Sequence, residues 1–313
     1  MKGLELGRKY YEECGKPMLE SEFSDVLKYL AIGYVGSGSD RFGFDDEIST
    51  DHDFEPGFCI FLPGEDIIDS KIEFKLERAY AKLPKEFTGY TRQAMSPVGG
   101  NRNGVMRTAD FYKEHAGSPT GDLDLLDWCL CPSNSLAEAT NGEVFFDGYG
   151  EFTAIREKLM NMPEDARLKR LAGNVLLMAQ SGQYNYPRCI KHGEVEAAQL
   201  TSFEFVHACL NSIFLIEGKY MPYYKWSFRG LKDMGYSDLA AKLYAIISTD
   251  NSHAEDKYYA IEGIASDVID MLQERSLTKA TCGDLEKHAY SINDLIKDNN
   301  IRNANVLMAA GDR

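Results

Sequence analysis

The hydrophobic pattern changes once along this chain, near Gly148–Phe152, and that change limits the folds open to it. Before it, short apolar runs end in turn residues. Ile32–Val35, Phe58–Leu62 and Glu143–Phe146 read as strands, with Val105-Met106 a brief one. After it, apolar residues recur at helical spacing. The expected helices are Thr153–Asn161, Glu164–Ser181, Glu194–Glu217, Pro222–Met234, Asp238–Thr249, Ala254–Arg275 and His288–Asn299. Ile261, Ile264, Val268 and Leu272 form a single apolar stripe, as a core helix requires. Among the strands, helices are expected at Leu4–Glu13, Glu20–Leu30, Ile68–Lys82, from Thr108, and at Leu123–Cys131. The expectation is an α+β chain: a small mixed β-sheet domain over residues 1–150, then a helical bundle over 151–313.

Between the first two strands lies a turn of small residues, Gly36-Ser37-Gly38-Ser39, followed by a short spacer and Ser49-Thr50-Asp51-His52-Asp53. Such a turn exposes backbone N–H groups and a hydroxyl with little bulk in the way, which suits phosphate oxygens. Strand side chains alternate faces, so Asp51 and Asp53 share a side while His52 points away. Two converging carboxylates make a hard-oxygen site suited to Mg²⁺. Taken alone, both features also occur in ordinary solvated loops; the buried strands on either side favour a site. The acidic cluster Asp45-Asp46-Glu47 in the spacer is expected on a solvated loop, with recognition of a cationic acceptor as the other reading.

Gly-Ser, a spacer and Asp-x-Asp resemble the signature of the DNA polymerase β-like nucleotidyltransferases, with Gly38-Ser39 as the pair and Asp51 and Asp53 as metal ligands. The longer string GSGSDRFGFDDEISTDHDFEPGF resembles a narrower bacterial family of unknown function placed among them. Stretches around Asp127-Trp128, Gly142–Asp147, Gln183–Cys189 and Pro222–Arg229 are similar to it too. The resemblance implies transfer of a nucleoside monophosphate from an NTP to an acceptor, with Mg²⁺ or Mn²⁺ as cofactor and pyrophosphate released. The resemblance leaves the acceptor open among a small molecule such as an aminoglycoside-like antibiotic, a protein side chain and an RNA end.

The resemblance also implies a third carboxylate, and here the chain departs from the pattern: Val105-Met106-Arg107 holds no acid. Asp127, Asp147 and Glu73 are the candidates, although a cap or turn accounts for the first two and a solvated helix face for the third. A missing third acid favours an alternative, a nucleotide-binding regulatory module or pseudoenzyme.

The net charge of −15 disfavours long nucleic acid and asks for cations concentrated locally. Arg41 follows the turn directly. Lys225 and Arg229 lie four apart behind Pro222, expected in the first turn of a helix, and suit either triphosphate oxygens or a salt-bridged domain contact, the latter favoured for Arg229. Tyr224 either stacks on a base or fills core. Arg188 and Lys191 are expected near the start of a helix opening around Tyr184–Cys189, where unpaired N–H groups also attract anions. Seven scattered cysteines match neither a disulfide framework nor a zinc site, and six histidines show no ligand spacing. No apolar run approaches the roughly 18–20 residues that span a membrane, and the N-terminus lacks a signal-peptide core, so a cytoplasmic protein is expected.

Overall fold

The computed structural model describes residues 1–46, 54–92 and 102–311. Two compact units result. Unit 1 comprises Met1–Asp122 and Ser135–Asn161; unit 2 comprises Leu123–Asn134 and Met162–Arg313. The expected division was 1–150 and 151–313.

Unit 1 begins with α1 (Gly3–Tyr10), a π-helical turn over Tyr11–Gly15, α2 (Lys16–Glu22) and α3 (Ser24–Leu27). The π turn adds a residue to the helical repeat, and the consecutive Tyr10 and Tyr11 are both buried. The single helix expected over Glu20–Leu30 breaks at Phe23, whose ψ of 25° leaves the helical range and whose ring is buried.

Then come β1 (Ala31–Tyr34), β2 (Cys59–Leu62), α4 (Ser70–Lys82), the small hairpin β3 (Glu86–Phe87) and β4 (Tyr90–Thr91), and β5 (Gly104–Arg107). The hairpin was not expected. The chain continues through α5 (Thr108–Ala116), α6 (Leu125–Leu130), α7 (Ser133–Thr140), β6 (Glu143–Asp147) and α8 (Glu151–Met160).

The sheet order is β5-β2-β1-β6. β1 runs antiparallel to both β2 and β6, while β2 and β5 are parallel, so the sheet is mixed as expected. Ile32, Ile60 and Leu62 point to a core shared with Tyr10, Leu19, Phe58, Leu76 and Tyr80. Phe61 points to the other face, stacked on Phe152 at 4.1 Å and edge-on to Phe111 at 5.2 Å. Helices therefore cover both faces, which explains why all four residues of β1 and of β2 are buried.

The register fixes which ends meet. Gly33 pairs with Cys59, Cys59 with Gly104, and Tyr34 with Glu143. The last residues of β1 and the first residues of β2, β5 and β6 therefore share one end of the sheet. Gly142 makes that junction possible: at φ +64°, a side chain there would overlap the Tyr34 carbonyl oxygen.

Unit 2 is helical: α6, α9 (Glu164–Met178), α10 (Tyr186–His192), α11 (Val195–Ile216), α12 (Tyr224–Asp233), α13 (Ser237–Ser248), α14 (Ala254–Glu274), α15 (Leu285–Asn293) and α16 (Asn299–Asn303). Helix α9, buried nearly all round from Leu168 to Leu176, packs against α11 and α15. Ile261, Ile264, Val268 and Leu272 are buried, as their spacing required.

Three local expectations need correction. Tyr186 does not open a helix: a π-helical segment, Ala179–Asn185, joins α9 to α10 with helical dihedrals at Asn185. The argument from free N–H groups beside Arg188 and Lys191 falls with it. Pro222 lies ahead of α12, which starts at Tyr224. The helix expected over His288–Asn299 becomes α15 and α16, capped by the side chains of Asp284 and Asp298.

Candidate functional site

Asp51, His52 and Asp53, together with Glu47, lie outside the described residues. The described part of the candidate site is the turn leaving β1, at the sheet end where four strand termini meet.

Gly36 and Gly38 have φ of +99° and +132°, conformations that favour glycine. After them the chain closes a compact turn, with Arg41 N–H donating to Gly38 O at 3.2 Å and Phe44 N–H to Ser39 O at 2.8 Å. Among the described residues, the backbone N–H groups of Ser37, Gly38, Ser39 and Asp40 donate to no partner, and neither does the Ser39 hydroxyl. Four successive donors without a protein partner in a glycine-bearing turn make this turn a candidate anion cradle.

The cradle is held from several sides. The Asn141 carboxamide meets both polar groups of Gly36: Gly36 N–H donates to Oδ1 at 2.8 Å and Nδ2 donates to Gly36 O at 2.7 Å. The Ser37 hydroxyl donates to Glu138 Oε2 at 2.6 Å. His115 Nδ1 stands 3.6 Å from that same oxygen. Burial pushes the His115 imidazole below its ordinary pKa, against the opposing pull of Glu138 and Glu114.

Beneath the turn, Arg41 is fully buried. Its guanidinium pairs with Asp40, lies 3.9 Å above the Tyr34 ring, and donates to Tyr34 Oη at 3.1 Å and Asn103 Oδ1 at 2.8 Å. The Tyr34 hydroxyl donates to the same Asp40 carboxylate. Burial opposes the Arg41 charge, but Tyr34 and Asp40 outweigh it and hold the group protonated.

Asp45 corrects an expectation: it is buried, not solvated, and accepts the Gly3 N–H at 3.0 Å while Lys2 reaches its carbonyl. The spacer is thus tied to the start of α1. Asp46 is exposed.

The three candidate third acids are each engaged. Glu73 pairs with Arg107. Asp147 accepts the N–H groups of Gly150 at 2.7 Å and Thr153 at 2.8 Å, capping α8. Asp127, in unit 2, closes a capping box with Asp124. Among the described residues, no three His, Cys, Asp or Glu side chains cluster in a way that would hold a metal.

The remaining cations lie in unit 2. Lys225 and Arg229 occupy one exposed face of α12. Tyr224 is 62% exposed, so it fills no core, and its ring lies 4.4 Å from that of Tyr223. Arg188 is exposed and stacks over Tyr184 at 5.2 Å.

Sequence reasoning missed Glu138, Asn141 and His115. Asn141-Gly142 signalled a turn but not a clamp. Helix α7, which carries Glu138, was not expected, although Leu136, Ala137, Glu138 and Ala139 are good helix formers.

With this geometry in view, the comparisons with known proteins add one relationship. Residues 128–227 match a family model described as a domain of unknown function (DUF4037). The matched segment contains Glu138, Asn141, Asp147 and Arg188, and it leaves out the turn at Gly36–Ser39 and the pair Asp51 and Asp53. No curated protein and no solved structure matches the chain.

Proposed function

We propose that this protein is a metal-dependent nucleotidyltransferase that moves a nucleoside monophosphate from an NTP to an acceptor and releases pyrophosphate. The observation that carries this reading is the cradle, in which four free N–H donors and the Ser39 hydroxyl follow β1 in a turn braced by Asn141, Glu138 and Arg41. Such a turn suits phosphate oxygens, and in this reading they belong to a triphosphate. Asp51 and Asp53 supply the hard carboxylate oxygens that suit Mg²⁺ or Mn²⁺. The ion, when bound, neutralises charge developing on the transferring and leaving phosphates. The chain's own part is to orient the triphosphate through backbone N–H groups, which need no reorganisation during reaction. Arg41, neutralised by Asp40, acts from below by fixing the turn.

The acceptor is a small molecule or a protein side chain in this reading. The net charge of −15 favours a cationic acceptor over RNA. Among the described residues no helix is long and apolar enough to cross a membrane, and all seven cysteines are free thiols. Both support a cytoplasmic setting.

Incubation with each α-labelled NTP, Mg²⁺ or Mn²⁺ and a cell extract tests the proposal. Label moving to a discrete acceptor supports it. Asp51→Asn and Asp53→Asn should each lower transfer by at least ~100-fold, because metal-assisted charge stabilisation supplies several kcal/mol. No transfer with any NTP contradicts it.

The engagement of Glu73, Asp127 and Asp147 favours a second reading, a nucleotide-binding module without transfer. Metal-dependent NTP binding with no pyrophosphate release would select it.

A further inference from the structure

The two serines of the turn are held differently. We propose that Glu138 is a positioning residue for the turn, acting through Ser37, and that this tether leaves to Ser39 the phosphate contact already contained in the proposed function. The role given to Ser39 rests on the nucleotidyltransferase reading; the hold of Glu138 on Ser37 does not.

The Ser37 hydroxyl is committed to Glu138 Oε2 at 2.6 Å. That carboxylate is only 15% exposed, and His115, 11% exposed, closes its other side. His115 is in turn packed edge-on to Phe111, ring centroids 4.6 Å apart. A hydrogen bond to a shielded carboxylate is among the stronger kinds, so Ser37 has little freedom to rotate toward a ligand. Three residues beyond Glu138, Asn141 grips Gly36 at both backbone groups. Consecutive residues of the turn, Gly36 and Ser37, are therefore fixed from one short stretch of chain. Ser39 is half-buried, and its hydroxyl makes no hydrogen bond among the described residues.

A carboxylate behind a phosphate site would by itself weaken triphosphate binding through like-charge repulsion. Its value lies in geometry. The positive φ values at Gly36 and Gly38 allow many turn shapes, and the tether at Ser37, between them, selects one.

The full-length protein and its Ser37→Ala, Glu138→Ala, Glu138→Gln and Ser39→Ala variants are compared by two measurements. The first is amide hydrogen exchange, without ligand, at the bonded N–H groups of Gly36, Arg41 and Phe44. Ser37→Ala and Glu138→Ala should each speed it about tenfold, the scale of one hydrogen bond to a charged group. The double variant should go no further than the faster single one, because both remove the same bond. Glu138→Gln keeps a carbonyl acceptor and should stay within about threefold of the parent. Ser39→Ala should leave exchange unchanged.

The second measurement is calorimetric binding of inorganic tripolyphosphate with Mg²⁺. Ser39→Ala should weaken it about tenfold, while Glu138→Gln should bind at least as tightly as the parent, having lost a repelling charge. Unchanged exchange in Glu138→Ala, or fully additive effects, overturns the tether. Equal binding by Ser39→Ala overturns the role of Ser39. A parent protein that binds no tripolyphosphate overturns the nucleotidyltransferase reading and the Ser39 role together, and exchange alone then decides the hold of Glu138.

Discussion

The side chain of Asn141 satisfies both backbone polar groups of Gly36, accepting from its N–H at 2.8 Å and donating to its carbonyl at 2.7 Å. Gly36 is buried, so losing the carboxamide leaves two groups unpaired away from water. Asn141→Ala should cost about 2–3 kcal/mol in urea unfolding with an unchanged m-value. Asn141→Asp should also destabilise, because its carboxylate would face the Gly36 carbonyl.

Gly142 serves the same junction from the partner strand. With φ at +64° and Tyr34 O in the way, Gly142→Ala must strain the backbone and separate β1 from β6. A loss of about 2 kcal/mol or more is expected, read as a lower Tm by calorimetry.

Arg41 and Asp40 form a buried pair. If Arg41 braces the turn, Arg41→Met must destabilise the ligand-free protein, by about 3–5 kcal/mol, because Asp40 is left charged and buried with, among the described residues, the Tyr34 hydroxyl as its side-chain partner. The double variant Asp40→Asn/Arg41→Met should lose less than the sum of the single changes. An Arg41→Met protein of parental stability with weakened NTP binding would instead make Arg41 a direct phosphate ligand.

Burial lowers the His115 pKa in the folded state, so the folded protein resists a proton that the unfolded chain accepts. The associated stability is present above the unfolded value near 6.5 and is lost as pH falls through the lower folded value. Between about pH 8 and about pH 5, the parent should therefore lose more stability than His115→Phe, measured by urea unfolding at each pH.

Strands β1 and β2 were legible because Ile32–Val35 and Phe58–Leu62 are apolar runs stopped by turn residues, with helices burying both faces. The α14 stripe was legible for the same local reason. The supports of the cradle were not. Ser37 and Glu138 stand 101 residues apart in sequence, and Gly36 and Asn141 stand 105 apart. No local pattern encodes such pairs. A helix was expected to open around Tyr184–Cys189, yet the π-helical segment Ala179–Asn185 carries the helix through. Asp147 shows the reverse: its capping role was already the cheaper reading in sequence, and the structure shows the cap.

The most direct measurement is the affinity for each NTP, by calorimetry with and without Mg²⁺, of the parent, Ser39→Ala and Asp51→Asn/Asp53→Asn proteins. The proposed nucleotidyltransferase reading predicts saturable binding of at least one NTP by the parent. That binding should need the metal, weaken about tenfold in Ser39→Ala and vanish in the double Asn variant. Equal binding by all three proteins, or none by the parent, would contradict it.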